Sequence, residues 1–62
     1  MSDLNLNPNI ERPDDFYADL LDAHEGLSKE ESDAFNARLI LVLANHIGDG
    51  EVLRAALKAA AK

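Results

Sequence analysis

Two histidines, a run of carboxylates and three serines are the side chains of this chain that could do chemistry. His24 and His46 could serve as transition-metal ligands or proton carriers. A helical metal site wants a second ligand three or four residues away. The neighbours of His24 four residues away are Leu20 and Ser28, and those of His46 are Val42 and Gly50. Only tertiary folding could complete a site, by bringing the two histidines together with Asp22 or Asp49. The reading favoured by the residues is a pair of half-buried, hydrogen-bonded histidines near helix C-termini, with no metal and no other cofactor. A small ligand- or metal-binding protein using His24 and His46 is the alternative.

The carboxylates Asp14, Asp15, Asp19, Asp22 and Glu25 have the spacing of a solvated helix face, and no calcium-loop pattern accompanies them. Asp15, Asp19 and Asp22 could dock on a basic partner, which gives a third reading, an acidic neutraliser of a basic protein. Ser28 is placed to cap a helix, and Ser2 and Ser32 have no histidine nearby in sequence. Gly48-Asp49-Gly50 is too short to cradle a phosphate. With no cysteine there are no disulfides, iron–sulfur clusters or thiolate zinc sites. An enzyme is not expected.

The elements that hold these groups are helical. Residues 1–12 carry scattered Leu4, Leu6 and Ile10 among three asparagines, fit no helical period and read as an extended arm. Pro13 suits a first helical position, and Asp14 and Asp15 face the positive end of the helix dipole. Phe16, Tyr17, Leu20, Leu21, His24 and Leu27 then share one arc, and Gly26 stops a helix over about 13–25. Ser28-Lys29-Glu30-Glu31 is a capping box that opens a second helix, about 29–47, ended by Gly48. Asp49 caps a third, about 50–61, with Val52, Leu53, Ala56, Leu57 and Ala60 on one side. Arg54, Lys58 and Lys62 form a basic ridge on the other. The expected fold is all-α, a compact three-helix domain over 13–62 preceded by the arm.

The second helix has more apolar surface than two short neighbours need. Phe35, Leu39, Ile40, Val42, Leu43 and Ile47, with His46, make one broad arc that can receive both flanking helices. Ala34, Ala37, Leu41 and Ala44 make a second set opposite, and Glu31, Arg38 and Asn45 form a narrow polar stripe between. A contact with another chain along Ala34, Ala37, Arg38, Leu41, Ala44 and Asn45 is therefore expected, because a chain of 62 residues has a marginal core. Asn36 could fix the register of a packed pair, or simply bond locally.

Charge narrows the partners. Residues 1–33 hold ten acids against Arg12 and Lys29, while residues 34–62 carry a small positive excess, for a net charge of −6. Phosphate backbones and anionic lipid would repel such a body, so neither nucleic acid nor a membrane surface is expected. The longest apolar run, Leu39 to Ala44, is far short of the ~20 residues a membrane span needs. The opening Met1-Ser2-Asp3-Leu4-Asn5 has no signal-peptide character, which leaves the cytoplasm as the expectation.

Pro13-Asp14-Asp15-Phe16-Tyr17, Leu21-Asp22-Ala23-His24, Asn36-Ala37-Arg38-Leu39 and Leu43-Ala44-Asn45-His46-Ile47-Gly48-Asp49 resemble a family of short bacterial proteins known as a domain of unknown function. The resemblance covers about residues 13–57 and leaves out the arm. Genes of that family often lie beside flavin-dependent aromatic hydroxylases, which implies an accessory or small-subunit role. The function expected is a non-catalytic protein–protein interaction module, partnered by itself as a homodimer or by a larger enzyme subunit.

Overall fold

The structure is a computed structural model, and it describes residues 3–61. Met1, Ser2 and Lys62, and with Lys62 the end of the basic ridge, lie outside the described residues. Three helices follow one another, α1 (Pro13–His24), α2 (Lys29–Ile47) and α3 (Gly50–Ala60), and no strand occurs among the described residues.

Each boundary has a local cause. Residues 3–12 are non-helical, with Asn5 Oδ1 accepting from the Asn7 amide at 2.9 Å in a tight turn. Arg12 precedes α1 in the left-handed region, at φ 52° and ψ 66°, and makes no side-chain cap. Proline follows it, and the ring of Pro13 disfavours the right-handed helical region for Arg12. α1 stops one residue short of the expected end. Glu25 at φ −62° and ψ 131°, followed by Gly26 at φ 81°, form the centre of a type II turn. Its closing bond runs from the Leu27 amide to the His24 carbonyl at 3.1 Å.

The capping box of α2 is complete. Ser28 Oγ accepts from the Glu31 amide at 3.1 Å, and Glu31 Oε1 accepts from the Ser28 amide at 2.9 Å. At the far end Gly48 takes φ 74° and donates its amide to the Ala44 carbonyl at 2.9 Å. A Cβ on Gly48 would sit 3.7 Å from the Asn45 carbonyl oxygen, so the dihedral rather than crowding selects glycine. Asp49 Oδ1 then accepts from the amides of Glu51 at 2.9 Å and Val52 at 3.2 Å and starts α3. α3 ends at Ala60, one residue before the expected 61.

α3 lies against the C-terminal half of α2, and α1 meets the N-terminal half of α2 through its last turn. None of the described residues is fully buried. The best covered, Leu20, His24, Phe35, Leu39, Val52 and Leu53 among them, are half-buried. The chain presents 5678 Å² to solvent. A packed monomer of 6.8 kDa would present about 4,000 Å². Its radius of gyration is 13.5 Å with the arm included, against about 10.6 Å for a packed chain of this length.

Candidate interaction surface

Two separate places on the molecule could serve a function. His24 is fixed at the α1–α2 junction. Its Nδ1 lies 2.8 Å from the Leu20 carbonyl oxygen, and its Nε2 lies 2.8 Å from Asn36 Oδ1. The ring also stands edge-on to Phe35, centroids 4.8 Å apart and planes at 69°. A carbonyl only accepts, so Nδ1 carries a proton and donates to Leu20. The imidazolium can then donate to Oδ1 through Nε2. A neutral ring keeps the bond by accepting from the Asn36 amide turned over. Asn36 thus joins two helices instead of bonding locally, and the sequence left both roles open.

His46 is exposed near the end of α2. No group of three or more His, Cys, Asp or Glu side chains that could hold a metal ion occurs among the described residues. Asp15, Asp19 and Asp22 are exposed on α1. Asp15 stands 3.9 Å from the Arg12 guanidinium, with both side chains largely in water, a pair worth little to stability.

The second place is an apolar groove of about 520 Å³ between α2 and α3. Ala44, Leu53 and Ala56 are its recessed, half-buried members. Ile40 and Leu57 stand out beside them, 64% and 71% exposed, with Leu43 and Ile47 about half exposed. A helical stripe of α3, Leu53, Ala56, Leu57 and Ala60, supplies one side, as the spacing requires. Glu51, Arg54 and Lys58 line a separate polar hollow on α3.

The residues expected to form a partner face divide between the two sides of α2. Ala34, Ala37, Arg38, Leu41 and Asn45 are exposed, Leu41 at 69%. Ala44 lines the groove and is half-buried there, because α3 packs toward the Ile40, Leu43 and Ile47 edge of the broad arc. Val42, expected on the arc that receives the flanking helices, remains 63% exposed. The groove itself is the feature that sequence reasoning missed. Its signal was there in the matched apolar stripes of α2 and α3, but not the edge along which they meet.

The model of a family described as a protein of unknown function, DUF2783, matches residues 4–62. This chain belongs to that family. The match takes in the arm from Leu4 onward, which the shared motifs had left outside the resemblance. No curated protein and no solved structure matches the chain. No helix of the described residues in this DUF2783 protein is long and apolar enough to cross a membrane.

Proposed function

We propose that this protein is a non-catalytic interaction module of the cytoplasm that works in association with another chain. The association is with itself, or with a larger enzyme to which it is an accessory subunit. A flavin-dependent oxidoreductase of aromatic-compound degradation is the enzyme class that the family resemblance suggests. One observation carries the reading. The chain has three well-formed helices, two of them with side-chain caps, yet none of the described residues is fully buried, and it leaves roughly 1,700 Å² more surface in water than a packed monomer of its mass.

Well-formed local structure with an incomplete core is what an element of a larger assembly looks like when it stands alone. Five of the exposed apolar residues, Ile40, Leu41, Val42, Leu43 and Ile47, are not scattered singly, as on ordinary surfaces, but cluster on the C-terminal half of α2. The acidic face of α1, with Asp15, Asp19 and Asp22, supplies a polar margin. The reading through His24 as a metal ligand has less support, since both ring nitrogens already have partners within the fold.

Thermal melting across a range of protein concentrations tests the reading. A module that folds in association should melt at rising temperature as concentration rises, or on addition of its partner enzyme. A single sharp transition at one temperature, at every concentration and with no partner added, would count against it.

A further inference from the structure

We propose that the α2–α3 groove seats a second copy of this chain, so that two α2–α3 pairs close face to face about a twofold axis. The inference rests on the interaction-module reading and names its partner and its surface. A groove between only two helices, lined wholly by apolar side chains, is half the core of a four-helix bundle. A second pair of the same kind completes it.

Shape points to a copy of the chain as the occupant. A twofold contact uses the same patch on both partners, so the patch must carry projections and hollows together. Here Ile40 and Leu57 project, and Ala44 and Ala56 lie recessed beside them. Area agrees with this. A stable dimer takes roughly 800 Å² from each partner. That is about half of the surface this chain exposes beyond a packed monomer. The contact itself buries no charge. No titratable side chain among the described residues lines the groove, and Glu51, Arg54 and Lys58 line a separate hollow of α3.

Sedimentation equilibrium of the full chain from about 1 μM to about 1 mM brackets the range in which such interfaces associate. The measurement is made on wild type, Leu57→Asp and Leu41→Asp, with far-UV circular dichroism on each. The expected result is a wild-type dimer that Leu57→Asp weakens at least about thirty-fold and Leu41→Asp leaves within a few-fold. A dimer lost in Leu41→Asp and kept in Leu57→Asp would overturn the groove while leaving the module reading in place. A folded wild-type monomer at every concentration overturns self-association. Melting with and without the partner enzyme then decides the module reading separately. Should Leu57→Asp unfold, isotope-filtered NMR on a mixed labelled and unlabelled wild-type sample decides. Contacts between protomers at the methyls of Ile40 and Leu57 support the groove, and contacts at Ala37 and Leu41 instead refute it.

Discussion

His24 shows how one side chain can stand in for a missing core. Its ring spans from the Leu20 carbonyl on its own helix to Asn36 on the next, and lays an edge against Phe35. α1 otherwise leaves Phe16, Tyr17 and Leu21 largely exposed, so this clasp carries much of the attachment of its last turn. Asn36→Ala should therefore cost about 0.5–1 kcal/mol, the usual net value of a bond this open to water. His24→Ala should cost more, because the ring packing goes with it. A double-mutant cycle in thermal melts checks the link, and a coupling near zero would mean that the bond does not form in solution. The same occupancy of the ring gives a second expectation. Zinc at Nε2 would have to displace Asn36, and no further ligands gather there among the described residues, so equilibrium dialysis should find no stoichiometric binding. About one zinc per chain, lost in His24→Ala, would reverse that assignment. None of this was legible from residue spacing, since the bond joins positions twelve apart and depends on how α1 docks.

At the scale of the elements, the sequence was most informative where the signals are local. Pro13, the Ser28–Glu31 box, Gly48 and Asp49 each act within a turn of where they stand, and each marks a boundary of the structure. The one-residue shortening of α1 has the same local origin, because Gly26 serves a type II turn after Glu25 and does not extend the helix. Ser28→Ala should lower stability by about 1 kcal/mol through the loss of its bond to the Glu31 amide. Gly48→Ala should cost about 1–2 kcal/mol because an alanine must enter the left-handed region, and Gly48→Val more, since β-branching disfavours it further. Chemical denaturation read by circular dichroism checks both. An undiminished midpoint in Gly48→Val would show that the α2–α3 link does not hold the described conformation. What local signals could not supply was the rotation of α2 about its own axis. The helix is apolar nearly all round, so α3 could settle at either edge of the broad arc. It settles beside Ile40 and Ile47 and takes Ala44 with it.

At the scale of the whole molecule, charge and apolar surface make opposite demands that a salt titration can separate. Each chain carries a net charge of −6, with the negative charge concentrated before residue 34 and a small positive excess after it. Two copies that meet through an uncharged groove repel one another at long range, and salt screens that repulsion over a Debye length of about 10 Å at 0.1 M. Self-association through the groove should therefore tighten about 3–10-fold as sodium chloride rises from about 20 mM to about 300 mM. The opposite sign has an equally definite meaning. If the acidic face at Asp15, Asp19 and Asp22 docked on Arg54 and Lys58 of another copy, screening would weaken the contact over the same range. Such pairing joins unlike patches, so it can also continue into chains longer than a dimer. Sedimentation at the two salt concentrations reads both quantities at once. A dimer that tightens with salt points to the groove. Larger species that fall apart with salt would move the interface to the charged faces and leave the groove to some other use.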